Sequence, residues 1–320
     1  MIALAEIERA RKTIRGAAIR TPLVRLEIDA PVEIWLKLEN LQPIGSFKIR
    51  GAMNAIRQAP RELTAGGVVT ASAGNMAQGV AWAVRELGVP ATIVVPEGAP
   101  QTKLDAIARL GGSVVTVPHE RWWQALVESR FDEAEGLFVH PVQDEPVIAG
   151  NGTIGLELAE DAPDADAVLV PWGGGGLFTG IASALGALRP DTRVYAVEPE
   201  TGAPLAAALA AGAPQEVDYR PSFVDGAGSR ALLPAMWEQA RPLLAGSFAV
   251  GLDETAAAVR LLAERARVVS EGAGALAVAA ALSNQVGAGR VEASKIVCVV
   301  SGGNIDASRL ATILRGSTPS

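Results

Sequence analysis

Histidine and cysteine are nearly missing from this chain of 320 residues, which has two of the first and one of the second. The lone Cys298 excludes an internal disulfide framework, and its setting in KIVCVV reads as a buried strand in which the thiol fills core. The two histidines, His119 and His140, have no partner at ligand spacing, so a zinc site is not expected and no metal is assigned. Proton transfer would then fall to lysine, carboxylate, hydroxyl or cofactor groups. Long apolar runs are missing too, and nothing approaches the roughly 18–20 uninterrupted residues of a membrane span. Nor is there a Lys/Arg-rich block or a basic–aromatic stripe, and at a net charge of −7 nucleic acid is not an expected partner. The opening MIALAEIERARKTIRG places Leu4, Ile7, Ala10 and Ile14 on one helical face and lacks the continuous apolar core of a secretory signal, so a cytoplasmic location is expected.

What the chain does have is 49% hydrophobic and 20% charged residues, ordinary for a globular protein, and length enough for two compact lobes. Short β-rich runs alternate with Ala/Leu-rich helical stretches. Strands are predicted at 32–38, 67–72, 91–96, 113–117, 167–171, 193–198 and 295–300, separated by helices such as those opening at Asn75 and Gln101, each closed by a glycine. This alternation predicts an α/β fold, with parallel or mixed twisted sheets covered by helices. Three strands run into Gly/Ser-rich turns that open helices: TASAGN, VPWGGGGL and VVSGGN. Ligands of open α/β sheets sit beyond the carboxyl ends of strands, so the three turns are expected to share one site. Residues 203–213 read as a helix and 214–230 as an ordered loop. The pair Trp122–Trp123 reads as core packing, with a subunit contact as the alternative.

Gly173, Gly174, Gly175 and Gly176 lie between a strand and a helix, where backbone N–H groups converge on a phosphate at the positive helix end. A dinucleotide fingerprint fails because Phe178 stands where its third glycine belongs, and a P-loop fails because no Gly-Lys-Ser/Thr follows. Lys48 lies just inside a helix start, with Gly45 or Ser46 as the cap. Together with Arg50 it reads either as a solvated surface charge or as an amine kept partly neutral by Phe47 and the helix end. Ser72-Ala73-Gly74-Asn75 suits a carboxylate and serves equally as a helix cap. Ser301, in SGGN, offers a hydroxyl able to bond a ring nitrogen without a full charge.

In this order and spacing, KLENLQPIGSFKIRGA, SAGNMAQGVA, PEGAPQTKLDAIARLGG, AGNGTIGLE, VPWGGGGL, SEGAGA and SGGN resemble the threonine/serine dehydratase branch of the fold type II, tryptophan synthase β-like enzymes that use pyridoxal 5'-phosphate (PLP). The resemblance runs from TPLVRLE to SGGNID. It implies that Lys48 carries PLP as a Schiff base and, once freed by substrate, removes the α-proton. Gly173 to Gly176 would cradle the phosphate, Asn75 would hold the ring hydroxyl and Ser301 the pyridine nitrogen. Ser72, a catalytic candidate as well, would receive the substrate carboxylate with Gly74, Asn75 and Met76. Phe47 and Glu271 would be accessory, although Glu271 reads equally as a solvated carboxylate at a helix start. The implied architecture is a small mobile lobe, 41–145, inserted into a large cofactor-binding lobe formed by 1–40 and 146–320, in a homodimer. The implied reaction takes water from a β-hydroxy amino acid, L-threonine, L-serine or a bulkier analogue, and releases a 2-oxo acid and ammonia.

Several positions depart from the family pattern. Met76 replaces the usual histidine, and a thioether donates no hydrogen bond, so a bulkier or less polar substrate is expected, such as an aryl β-hydroxy amino acid or one of the hydroxyectoine-degradation type. Ala73 stands where racemases of this fold carry a second serine, which disfavours racemisation. Glu198 is present, but Gly202 and Pro204 add no second carboxylate for a cation. The chain ends soon after SGGN, so no regulatory domain is expected. A racemase and a non-catalytic PLP-binding sensor are the alternative functions.

Overall fold

Strands covered by helices on both faces need uninterrupted apolar sequence rather than alternation, and the central runs of this chain have it. In the computed structural model, which describes residues 1–283, 291 and 293–319, such runs form two sheets. In chain order the strands are β1 (Leu23–Arg25), β2 (Glu33–Leu38), β3 (Val68–Ala71), β4 (Ala91–Pro96), β5 (Gly112–Val117), β6 (Leu137–Phe138), β7 (Ala167–Pro171), β8 (Arg193–Pro199), β9 (Gly246–Val250) and β10 (Lys295–Val300). The six-stranded sheet has the order β1-β2-β10-β7-β8-β9, antiparallel only between β1 and β2. The four-stranded sheet, β5-β4-β3-β6, is parallel throughout. β3 and β7 are buried at every residue, and β10 at all but its first.

All seven predicted strands are present within a residue of their expected ends. β1, β6 and β9 were not read, because three- and two-residue strands carry no period and β9 is an edge strand opening on glycine. The first helix, Leu4–Thr13, buries Ile7 and Ala10, and Ile14 is buried just beyond it. The alanine-rich stretch is a helix over Pro204–Ala211, and 214–230 is loop. No helix among the described residues is long and apolar enough to cross a membrane.

Arg50 is not a surface charge. It is 1% exposed and forms double hydrogen bonds to Glu39 (2.8 and 2.8 Å) and to Glu157 (2.7 and 3.0 Å). The fully buried Lys37 completes the group, its Nζ 2.6 Å from Glu157 and donating to the Thr21 carbonyl at 2.8 Å. Two cations thus balance two carboxylates. Burial works to raise the Glu39 carboxyl, but the guanidinium beside it holds it below its usual range. The network ties β2, the turn after it and the helix Glu145–Asp161 to the helix Lys48–Gln58, so it fixes the helix whose first residue is Lys48.

Candidate active site

The helix carrying Lys48 begins at that residue, with Phe47 rather than Gly45 or Ser46 in the cap position. At the first helical position an ammonium faces the positive end of the macrodipole. The side chain is also half-buried, and burial lowers its amine to about 8. Nζ donates to the Pro141 carbonyl at 2.7 Å and lies 5.2 Å from the centre of the Phe47 ring. Among the described residues no carboxylate is hydrogen-bonded to it.

The Pro141 carbonyl is aimed by its neighbours. His140 Nδ1 accepts the amides of Val142 (3.1 Å) and Gln143 (3.0 Å), and the His140 amide donates to Asp144 Oδ2 at 2.7 Å. Burial, with the Lys48 charge adding to it, pushes the imidazole down to about 4, so it is neutral at physiological pH and suited to accepting at Nδ1. A backbone carbonyl has no sequence signature, which is why this contact went unread.

Lys48 borders a cavity of about 360 Å³ at the carboxyl ends of β3, β7 and β10, within the size range of small-molecule sites. All three Gly/Ser-rich turns reach it: Ser72 to Met76, Gly173 to Gly176, and Ser301. The glycines are there because side chains would not fit. A Cβ on Gly174 would lie 2.5 Å from Val142, and Gly175, at φ +95°, caps the helix Gly176–Leu188 with its Cβ position 2.6 Å from the Trp172 ring. Backbone amides at a helix start in a wall without Cβ atoms form a cradle of phosphate size and charge preference. Ser301 is buried, and its hydroxyl has no hydrogen-bond partner among the described residues. These donors suit PLP: an amine low enough in pKa to be partly neutral, an anion cradle and a free hydroxyl.

Asn75, Glu271 and Asn304 form a chain of side-chain hydrogen bonds. Asn75 Nδ2 donates to Glu271 Oε1 (2.8 Å), and Asn304 Nδ2 donates to Asn75 Oδ1 (2.7 Å) and to the Ile44 carbonyl (2.9 Å). This orients the Asn75 amide and leaves its second N–H for a ligand. Glu271 is buried rather than solvated; burial, with Asp225 adding to it, raises the carboxyl to about 7. Gly302 is required beside it, since a Cβ there would collide with Glu271 Oε1. Asn304 closes the SGGN turn, and nothing in its sequence setting points to this positioning role.

The turn after β3 differs from a simple cap. Gly74 occupies the cap position of the helix Asn75–Leu87, and Ser72 Oγ accepts the Gly74 amide at 3.2 Å. Gly74 itself faces open space, and Met76 borders the cavity while packing into the core beneath that helix. Trp122 packs against the cluster around Val69 and also borders the cavity. Trp123 does not fit the core expectation, being 48% exposed. Glu198 is fully buried and accepts the Leu205 and Ala206 amides at 2.9 Å each, engaging both oxygens at a helix start.

Comparison with known proteins agrees with this chemistry. The family described as pyridoxal-phosphate dependent enzyme matches residues 14–302. The chain belongs to that family. Its cofactor is PLP, and its fold is that of the type II enzymes. Among curated relatives, the L-threonine ammonia-lyase of Thermotoga maritima is 41% identical over 98% of this chain and 78% of its own length. The catabolic L-threonine dehydratase of Staphylococcus aureus is 36% identical over 98% and 92%. Among solved structures, maize serine racemase superposes with a TM-score of 0.88 at 34% identity, covering 98% of this chain and 97% of its own.

An amine at about 8 makes a prediction for this PLP enzyme. About a tenth of Lys48 is neutral at pH 7, far more than for a lysine at its ordinary 10.5. Because only the neutral amine attacks an aldehyde, the rate at which apoprotein takes up PLP should rise about tenfold per pH unit below 8 and level off above it. Stopped-flow absorbance between pH 6 and 10 measures this. A rate still climbing steeply at pH 10 would show an unperturbed lysine.

Proposed function

We propose that the chain eliminates water from a β-hydroxy amino acid, releasing a 2-oxo acid and ammonia. The observation that carries this reading is the partly neutral Lys48 amine in a cavity that also presents the Ser301 hydroxyl. The names of the two curated relatives, an L-threonine ammonia-lyase and an L-threonine dehydratase, support the same reaction. When bound, PLP takes up the electron pair left on the α-carbon. Lys48 accepts the α-proton, and the Pro141 carbonyl holds the amine in place for it. Ser72 and the free amides at the start of the helix Asn75–Leu87 receive the substrate carboxylate. Asn75, oriented by Glu271 and Asn304, would hold the ring hydroxyl, and Ser301 would meet the ring nitrogen as a neutral partner. The Cα–H and Cβ–O bonds break, the hydroxide leaves as water with the proton that Lys48 took up, and hydrolysis returns one water to give the 2-oxo acid and ammonia.

The segment 41–145 acts in this proposal as a small lobe closing on the rest. The Lys103–Asp225 ion pair at 2.8 Å and the Thr102–Asp306 hydrogen bond at 2.9 Å support it, since both bridge that segment to the remainder. Closure excludes water from the cleft. The expected assembly is a homodimer.

The similarity to serine racemase favours a second reading, racemisation. Ala73 opposes it, because no hydroxyl stands there to protonate the opposite face. Incubation of the PLP-loaded protein with L-threonine and L-serine, with ammonia, 2-oxo acid and chiral analysis, decides between them. Equal ammonia and 2-oxo acid, with little D-isomer, is the expected result. D-serine appearing faster than pyruvate would establish the racemase.

A further inference from the structure

Next to the Lys48 cleft lies a second cavity of about 220 Å³. Pro141, Val142, Gly173, Gly174, Asp225, Gly226 and Ala227 border both, so the two adjoin along a boundary built mainly of glycine and other small or apolar residues. It is thin because glycine faces glycine: a Cβ on Gly173 would lie 3.1 Å from the Gly226 carbonyl. The far side is built by Trp123, Leu126, Leu232 and Leu233. Trp123, half exposed and unaccounted for by the core, is one of its walls.

The charge pattern selects among occupants. Among the described residues no lysine or arginine borders this annex, and the one carboxylate there, Asp225, is engaged by Lys103 at 2.8 Å and Arg309 at 3.1 Å. The Ser229 hydroxyl donates to the Ala231 carbonyl at 2.9 Å. The His140 ring at its edge is held by its own backbone, Nδ1 accepting the Val142 and Gln143 amides, with the Leu126 carbonyl beside the ring.

The geometry points to the annex as the pocket for the substrate's β-substituent, and to an aryl or branched-alkyl group as its occupant. This rests on the elimination reading above and sharpens it. The preferred substrates are β-hydroxy amino acids with an apolar group on the β-carbon, and those with a second carboxylate are rejected. An apolar cavity on the order of 150 Å³ accommodates benzene, so a phenyl ring fits. A carboxylate placed there would meet Asp225 and find no cation. Met76, apolar where the cleft begins, is consistent with the same preference.

Amino acids without a β-leaving group separate binding from turnover. L-phenylalanine, L-alanine and L-aspartate are titrated into PLP-loaded protein, with affinity read by calorimetry and by the visible spectrum. L-phenylalanine is expected to bind at least tenfold more tightly than L-alanine, and L-aspartate no more tightly than L-alanine; even one methylene in an apolar pocket gives about tenfold or more. In turnover, L-threo-3-phenylserine should exceed L-serine in kcat/KM by at least tenfold. Trp123→Ala, at a half-exposed position that folding tolerates, should lower the phenylalanine-to-alanine affinity ratio at least fivefold, and Ala231→Trp, which fills the annex, should bring it near one. Equal affinities in the unaltered protein, or a ratio that neither substitution moves, overturns the assignment. Selective phenylalanine binding without ammonia from any β-hydroxy amino acid would leave the annex standing and remove the elimination reading. Ammonia from L-serine with equal affinities would do the reverse.

Discussion

Lys48→Ala is expected to lower ammonia release by about 10⁴-fold, the upper end of what a positioned general base contributes, and to remove the visible absorbance of the PLP-loaded protein. Two physical effects combine. The truncated side chain has no nucleophile for the cofactor aldehyde and no acceptor for the α-proton, and it leaves the Pro141 carbonyl without the donor it has at 2.7 Å. Lys48→Arg separates these effects from simple loss of charge. A guanidinium can still reach a carbonyl, but it stays protonated at any working pH, so it too should give colourless, inactive protein. Folding should survive both changes, since the side chain is only half-buried and borders the cavity. Absorbance spectra, ammonia assays and thermal melts read the three outcomes separately. Lys48→Ala retaining more than a tenth of the activity would displace Lys48 from its proposed role.

Arg50→Met is expected to remove about 3–5 kcal/mol of stability at pH 8, the usual effect of breaking a buried ion pair from one side. Glu39 is fully buried and would lose the only cation bonded to it among the described residues; Glu157 would keep Lys37. The sign of the pH dependence follows. With Arg50 present, Glu39 titrates below its unfolded value, so its contribution is complete above about 4.5 and is lost as the pH falls through the lower folded value. With Arg50 removed, burial raises the carboxyl instead, and stability is lost as the pH rises above about 4.5. The gap between the two proteins should therefore widen from pH 5 to pH 8. Adding Glu39→Gln should recover part of the loss by removing the unpaired charge. Urea denaturation at the two pH values tests this, and a loss under about 1 kcal/mol at pH 8 would mean that the network behaves like exposed ion pairs. Because Lys48 opens the same helix, Arg50→Met should also weaken cofactor retention.

How much of this was legible before folding varies with the kind of interaction. β3, β7 and β10 were readable because a strand buried on both faces must be apolar without interruption. The glycine turns were readable because a backbone that must approach a ligand excludes Cβ atoms. Arg50 and Lys37 were not, since a charge in sequence looks the same whether it faces water or a carboxylate more than a hundred residues away, as Glu157 is from Arg50. Trp123 failed differently: as the next residue along the helix it faces away from Trp122 and the core, and only the position of the loop around Gly226 makes it a cavity wall.

For the active site the division is sharper. Residue type and order alone determined that a lysine, an asparagine, a glycine cradle and a serine follow one another, the last three at strand ends, because each is dictated by local chemistry: a nucleophile, a two-sided amide, bare amides, a neutral hydroxyl. Tertiary structure decided everything that depends on burial and distance. It lowered the Lys48 amine by removing water, raised Glu271 and joined it to Asn75, supplied the Pro141 carbonyl from a distant turn, and opened an apolar annex behind glycines. These are properties of solvent exclusion and of contacts between remote segments, and no local pattern encodes them.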